Sequence, residues 1–147
     1  MIGRKAGEAT MRYTLFLKYK DGLLLCARIL LVILFLKFGL GKLTSFASTA
    51  DYMASTDLPA PSLMTAIAVL VELGAGIAIA VGFYTRPLSL LLALYTLFAA
   101  VIGHPYWNMP ATMQYDGMIN FYKNFSIAGG LLLLIVAGPG RYSLDRR

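Results

Sequence analysis

The stretch "SLMTAIAVLVELGAGIAIAVGF", residues 62–83, decides the fold class of this chain. It is apolar almost throughout, and Glu72 is its one charged residue. About 20 mostly apolar residues in a helix are enough to cross the hydrocarbon core of a bilayer, which is about 30 Å thick. The stretch therefore predicts a membrane-spanning helix that carries a carboxylate close to its middle.

The rest of the chain has the same character. Of its 147 residues 59% are hydrophobic and 14% are charged, and the mean hydropathy is +0.70. The predicted spans cover about residues 22–43, 61–83, 87–104 and 118–138. No soluble domain interrupts them, so the sequence predicts an all-α integral membrane protein: a basic lead (1–21) followed by a four-helix transmembrane bundle (22–147). Between the first two spans, Phe46, Ala50 and Met53 have helical spacing, which predicts a short interfacial helix there.

The basic residues indicate the orientation of the bundle. The net charge is +6, and with four spans nine of the cations fall on one side of the membrane: Arg4, Lys5, Arg12, Lys18, Lys20, Arg86, Arg141, Arg146 and Arg147. By the positive-inside rule both termini are predicted to be cytoplasmic. Cations placed in this way set the orientation of the bundle in the membrane and contact the lipid bilayer. They do not require a nucleic-acid partner, and we expect none.

Glu72 needs a partner, because a charge at the centre of a spanning helix costs about 2.5–3.5 kcal/mol. Arg28 lies toward the cytoplasmic side of its span, and Lys123 lies toward the outer side of the fourth with Asn120 and Asn124 on the same face. The sequence thus predicts one buried polar cluster of these five residues. It is open whether the cluster binds a ligand or is a structural ion pair, and a protonated Glu72 is a third alternative.

Helical periodicity indicates which residues of the first span face the bundle. One face combines Arg28, Val32, Phe35, Gly39 and Lys42. Lys37 is about 180° away from Arg28, so it is predicted to face lipid or a second subunit.

The chemistry available to the chain is limited. Cys26 and His104 are its single cysteine and single histidine, so no disulfide relay within the chain and no metal site are predicted. His104, at the outer end of the third span, is a candidate ligand contact, for example to a quinone carbonyl. No nucleophile with an oriented base is evident, and we do not expect the chain to be an enzyme on its own.

The order of these features resembles the DoxX family of small bacterial inner-membrane proteins. The resemblance rests on "ARILLVILFLKFGLGKL" (27–43), "YMAS" followed by "LPAP" (52–61), and "VELGAGIAIAVGFYTRPLSLLLALYTLFAAVIGHPYW" (71–107). It closes on "NFYKNFSIAGGLLLLIVAGPGRYSLDRR" (120–147) and covers about residues 23–147. The residues that match the polar pattern of the family are Arg28, Lys42, Glu72, Arg86, His104, Asn120, Lys123 and Asn124, whereas Lys37 departs from it.

The resemblance implies a four-helix protein of the bacterial inner membrane. Members of the family have been linked to thiosulfate:quinone oxidoreduction and to membrane oxidoreductase complexes that handle thiol or oxidative stress. Our first hypothesis is an accessory subunit that holds a redox enzyme at the cytoplasmic face and offers a quinone pocket near Glu72 and Lys123. The alternatives are a small-solute or proton-linked transporter, and a structural or assembly protein that forms a homo-oligomer through its glycine-rich faces.

Overall fold

The computed structural model describes Thr14 and residues 16–145, and no strand occurs among them. Most of the predicted basic lead lies outside these residues. Its described end forms a 3-10 turn, Leu17–Tyr19, which runs directly into the first long helix.

Four helices are long and apolar enough to cross a membrane, which confirms the predicted four-helix transmembrane bundle. They are α1 (Lys20–Thr44), α3 (Pro61–Val81), α4 (Thr85–Gly103) and α5 (Ala111–Ala137). The helix predicted between the first two spans is also present, as α2 (Phe46–Ser55). It packs on the start of α3, where the Met53 sulfur lies 3.3 Å from the Thr65 hydroxyl oxygen.

The fourth span begins earlier than the sequence predicted. Helix α5 starts at Ala111, whereas the apolar pattern indicated a start at residue 118. Residues 111–117 are too polar to be recognised as a membrane span, but Pro110 can precede a helix and nothing in them prevents helix formation. Apolar composition therefore marks the part of a helix that suits hydrocarbon, and not the whole helix.

The core lies where all four spans meet, and it is made of small and branched apolar side chains. Its fully buried members include Val32 of α1, Ile79 of α3, Leu92 of α4 and Leu131 of α5. Many larger apolar side chains, such as Leu133 and Phe98, point outward and are exposed. This inversion is expected when lipid, and not water, surrounds the bundle.

The two ends of the bundle differ in charge. Lys20, Arg86 and Arg141 lie at one end, which we call the basic side, whereas Asp51 of α2, Asp57 and Asp116 in the first turns of α5 lie at the other end. We call that end the acidic side. The positive-inside rule predicts that the basic side faces the cytoplasm.

Candidate functional site

Glu72 lies in an irregular part of the second span. Residues Leu70–Ala75 of α3 form a π-helical segment between two α-helical ones, and such segments are frequent at functional sites. The Glu72 side chain is only 7% exposed. Gly39 of α1 lies directly against it, since a Cβ atom at Gly39 would come within 2.9 Å of the Glu72 Cβ. The glycine thus allows α1 and α3 to approach each other closely at the level of the carboxylate.

The partners of Glu72 are Lys42 and Tyr95. The Lys42 ammonium lies 2.9 and 2.8 Å from the two carboxylate oxygens, and the Tyr95 hydroxyl donates a hydrogen bond of 2.6 Å to Oε1. We call these three residues the carboxylate cluster. It joins α1, α3 and α4, so one carboxylate holds together three of the four spans.

Part of this arrangement was predicted from the sequence. Helical periodicity assigned Lys42 to the same face of α1 as Gly39, and the burial of Arg28, Val32, Phe35 and Gly39 confirms that face. It did not identify Lys42 as the partner of Glu72, because Lys42 is near the end of its helix. Tyr95 was missed altogether, although a lone phenol within an apolar segment is a signal for a buried hydrogen-bond donor.

Arg28 is not part of the carboxylate cluster, and the structure places it apart from Glu72. The side chain is 1% exposed, and its Nη1 donates to the Pro139 carbonyl at 2.6 Å. Its Nη2 donates to the carbonyls of Tyr142 at 2.6 Å and of Ala80 at 3.1 Å. Because Glu72 packs at the level of Gly39, eleven residues beyond Arg28, about 16 Å of helical rise separates the two charges.

The chain after α5 folds back over the basic side of the bundle and supplies two of these carbonyls. We call residues 138–145 the tail. Asp145 of the tail accepts hydrogen bonds of 2.8 Å from the backbone N–H groups of Tyr84 and Thr85, at the start of α4. Partial burial alone would raise the pKa of the Asp145 carboxyl, but these N–H donors and the nearby Arg28 outweigh it and hold this pKa below its usual value.

The turn between α3 and α4 is shaped to receive the tail. Gly82 ends α3 with φ of 74°, a left-handed conformation that favours glycine. A side chain here would also collide with Ser143 and with the Arg28 guanidinium. The backbone N–H groups of Leu144 and Asp145 donate to the carbonyls of Val81 and Gly82 at 3.1 and 2.8 Å, which fixes the tail against the turn.

The remaining predicted site residues lie apart from both, around Lys123. The Lys123 ammonium donates a hydrogen bond of 2.6 Å to the Asn120 side-chain carbonyl, and His104 is close enough to Lys123 to interact with it electrostatically. Asn124 is buried, with 9% exposure. Within the described residues, Lys123 makes no hydrogen bond or ion pair with Glu72. The structure therefore divides the predicted cluster into three separate groups, around Glu72, Arg28 and Lys123.

Comparison with known proteins gives the family. The family model named DoxX matches residues 23–105, more than half of the chain. The chain belongs to the DoxX family. The matched residues include all three members of the carboxylate cluster, whereas the Lys123 group, apart from His104, and the tail lie beyond them.

This DoxX protein has relatives in bacteria and in yeast. It is 51% identical to inner membrane protein YphA of Escherichia coli, over 94% of this chain and 99% of YphA. It is 40% identical to inner membrane protein YqjF of the same organism, over 88% of this chain and 94% of YqjF. The similarity to ER-derived vesicles protein ERV29 of Saccharomyces cerevisiae is 29% identity, over 88% of this chain but 35% of that protein. No solved structure matches the chain significantly.

The four spanning helices and the two bacterial relatives both indicate where the protein is located in the cell. As predicted, this DoxX protein is a multi-pass protein of the inner membrane, and the lipid bilayer is its surroundings. Lys37 of α1 is exposed on the outside of the bundle, which confirms its predicted orientation away from the interior.

An apolar groove runs along the outside of this DoxX protein between α1 and α5. Its volume is about 600 Å³, and Lys123 is the charged residue among those that line it. The other lining residues are Leu24, Ala27, Leu30, Leu31, Ile33, Leu34, Ile127, Gly130, Leu133, Leu134 and Ala137. The groove thus presents hydrocarbon walls and one ammonium group to a molecule that enters from the bilayer.

Proposed function

We propose that this DoxX protein is an accessory membrane subunit of an oxidoreductase system and that it binds a quinone in the groove between α1 and α5. The observation that carries this proposal is the position of Lys123 in an otherwise apolar groove. Binding sites for small molecules are mostly apolar, with a few polar groups that fix the orientation of the ligand. A quinone meets that pattern because it combines a flat ring and an apolar tail with two carbonyl acceptors.

Lys123 is suited to the quinone carbonyl. An ammonium group has three donors, and one of them is used by the Asn120 carbonyl at 2.6 Å. This bond also orients Lys123, so that a second donor can serve a carbonyl in the groove. The aliphatic walls from Leu34 and Ile127 would pack against the ring.

We prefer this position to one beside Glu72, where the sequence first suggested the quinone. Both oxygens of Glu72 are already engaged by Lys42, and Oε1 also accepts from Tyr95. A ligand carbonyl there would have to displace an ion pair, and the Glu72 side chain of that pair is only 7% exposed. The filled hydrogen bonds support a structural role for the carboxylate cluster, which is to fix the positions of three spans.

The role of accessory subunit follows from the residues that the chain offers. With one cysteine it cannot run a disulfide relay by itself, and the electrons that reach or leave the quinone would pass through a partner protein. The family resemblance supports this link to oxidoreductases, and the basic side is the surface at which we expect the partner.

The single tryptophan allows a direct test of quinone binding. Trp107 packs edge to face with Phe121 of α5, at 5.6 Å between ring centroids, and α5 is also the helix that carries Lys123. A short-chain ubiquinone analogue, titrated into the protein in mild detergent, should quench the fluorescence of Trp107. Lys123→Met should weaken binding about tenfold or more, because a hydrogen bond to a charged donor contributes about 1.5–3 kcal/mol.

The control is Lys37→Met, which removes an exposed lysine outside the groove and should leave the affinity unchanged. Protein purified from membranes should also be analysed for bound quinone and for copurified redox enzymes by mass spectrometry. The proposal is wrong if no quinone copurifies or binds and no redox partner is recovered, or if the two lysine variants bind the analogue equally well.

A further inference from the structure

A second cavity lies on the basic side of the bundle. Its volume is about 1310 Å³, and the start of α1, the start of α4 and the tail all contribute to its walls. Each of these three elements places one cation in the lining: Lys20, Arg86 and Arg141 respectively. We call this cavity the basic pocket.

The three cations have no acidic partner of their own. Among the described residues, no carboxylate oxygen lies within 4 Å of the charged side-chain nitrogens of Lys20, Arg86 or Arg141. The pocket also contains Asp21 and Asp145, but both are already used. Asp21 accepts a hydrogen bond of 2.9 Å from the Arg141 backbone N–H, and Asp145 accepts the two N–H groups at the start of α4. The lining therefore offers three cationic side chains without an ion-pair partner, and each of its two acids accepts backbone hydrogen bonds.

The Arg86 side chain lies beside the start of the tail. Gly138 ends α5 with φ of 75°, and the Arg86 guanidinium lies over it, because a Cβ atom at Gly138 would be 3.2 Å from Nη2. Arg86 itself is on the first turn of α4 and is exposed toward the cavity. Its planar fork of donors matches the oxygens of a phosphate group, with which arginine forms paired hydrogen bonds.

The basic pocket opens toward the bilayer as well as toward water. Leu24 and Ala137 line both this pocket and the apolar groove between α1 and α5. The pocket lies at the ends of spanning helices, which is the depth of lipid headgroups. A molecule with an anionic head and an apolar chain would therefore find a cationic surface and a hydrocarbon surface next to each other.

We propose that the basic pocket binds the phosphate of an anionic phospholipid. Arg86 and Arg141 contact the phosphate oxygens, Lys20 adds a third positive charge, and an acyl chain leaves over Leu24 and Ala137. The pocket recognises a phosphate group, which is present in phospholipids and in soluble phosphate. The apolar surface of Leu24 and Ala137 next to it favours the lipid. The quinone proposed above has its head at Lys123, so this inference uses other residues and does not depend on that proposal.

The test compares lipid binding by variants of the full chain. Protein would be reconstituted in nanodiscs of phosphatidylcholine with a minor fraction of phosphatidylglycerol, released in mild detergent and analysed for retained lipid by native mass spectrometry. Wild type should retain phosphatidylglycerol selectively. Arg86→Gln combined with Arg141→Gln should lower the retained amount about tenfold, because charge-assisted hydrogen bonds to phosphate are lost.

The control variant combines Lys18→Gln with Lys37→Gln, which removes the same number of charges from exposed positions outside the pocket. It should retain phosphatidylglycerol like wild type. Arg141→Gln alone guards against misfolding, because the tail uses only the backbone N–H of this residue. This single variant should unfold like wild type in detergent and still retain less lipid.

Three outcomes overturn the proposal. The first is equal retention of phosphatidylglycerol and phosphatidylcholine by wild type. The second is an equal loss in the control variant, which would mean a non-specific charge effect. The third is displacement of the lipid by inorganic phosphate at millimolar concentration, which would assign the pocket to a soluble ligand. Lys123→Met should change none of these results, so a failure of the quinone proposal remains distinguishable.

Discussion

Glu72 and Arg28 are both buried charges on facing sides of the same pair of helices, and they have different kinds of hydrogen-bond partner. Glu72 lies against an ammonium and a phenol, supplied by two other spans. Arg28 lies against three neutral carbonyls, two of them from the tail. The carboxylate forms a direct ion pair, whereas the guanidinium is hydrogen-bonded by the backbone and has the Asp145 carboxylate nearby but not in contact.

The partners differ because the two groups need different hydrogen-bonding atoms and lie at different positions along α3. A carboxylate only accepts hydrogen bonds, and inside a spanning helix the backbone N–H groups are already used. Arg28 lies near the end of α3, where the last carbonyls have no partner within the helix. Ala80 offers such a carbonyl, and the negative end of the helix dipole favours a cation there. The direct hydrogen-bond partners of a buried cation can therefore be backbone carbonyls at a helix end, with the opposite charge, here Asp145, nearby but not in contact.

The comparison predicts that loss of Arg28 has the largest effect on stability. Arg28→Met keeps much of the volume but leaves three carbonyls without their donor. Each buried carbonyl without a partner costs about 1–3 kcal/mol, so we expect the free energy of unfolding in detergent to fall by about 3 kcal/mol or more. Arg28→Lys should recover only part of this loss, because an ammonium lacks the planar fork that reaches all three acceptors.

Lys18→Met serves as the control, since it removes an exposed cation on the same side of the bundle and outside the basic pocket. It should change the free energy of unfolding by less than about 0.5 kcal/mol. If Arg28→Met were as stable as Lys18→Met, the tail would not depend on Arg28, and the contrast with Glu72 would be lost.

Glu72→Gln should have a smaller effect, of about 1–2 kcal/mol on the free energy of unfolding. The amide can still accept the Tyr95 hydroxyl, and Lys42, with 23% exposure of its side chain, can turn toward the headgroup region. The double variant Glu72→Gln with Lys42→Met should be more stable than the sum of the two single losses, because it removes both charges together. Additive losses measured by unfolding in mixed micelles would mean that the two residues do not act as a pair.

Substitution of Asp145 should have the smallest effect on stability, and this effect should depend on pH. Its folded-state pKa is below its usual value, so the carboxylate stabilises the folded state at pH above about 4, the pKa of an unfolded aspartate. This contribution should disappear as the pH falls through the lowered folded-state pKa. Asp145 is only partly buried, so Asp145→Asn should lower the stability at pH 7 by less than about 1 kcal/mol.

The measurement is the difference in unfolding temperature between wild type and Asp145→Asn at pH 7 and at pH 3. The difference should be present at pH 7 and should shrink toward zero at pH 3. The other carboxylates are the same in both proteins, so their titration cancels in this difference. A constant difference would mean that the introduced amide disturbs the tail by its shape and not by the loss of charge.

The fold was predicted well because each span is recognisable on its own. An apolar segment such as residues 62–83 must be a helix in the bilayer, since no other single segment satisfies its own backbone there. The face of α1 that contains Val32, Phe35 and Gly39 followed from the helical period alone. Where the prediction failed, at the start of α5, the helix extends beyond the segment that the bilayer requires.

The candidate site was predicted only in part, because contacts depend on how far one helix is shifted along another. Glu72 was singled out correctly as a buried charge that needs partners. The sequence could not show that Gly39 of α1 is the neighbour of Glu72. If α1 were shifted along α3 by about four turns, Arg28 would take the place of Lys42. Tyr95 and Asp145 were missed for the same reason, since each acts on a residue of another element.

The sequence by itself determined that this protein is a four-helix membrane bundle, which residues of α1 face its interior and which charges lie within it. These properties are local, because they follow from the thickness of the bilayer and the period of the helix. Only the tertiary structure decided that Lys42 and Tyr95 hold Glu72, that the tail holds Arg28, and that Lys123 lies in a groove. Such pairings depend on the relative shift of the helices and on the fold of the tail, to which residues far apart in the chain contribute.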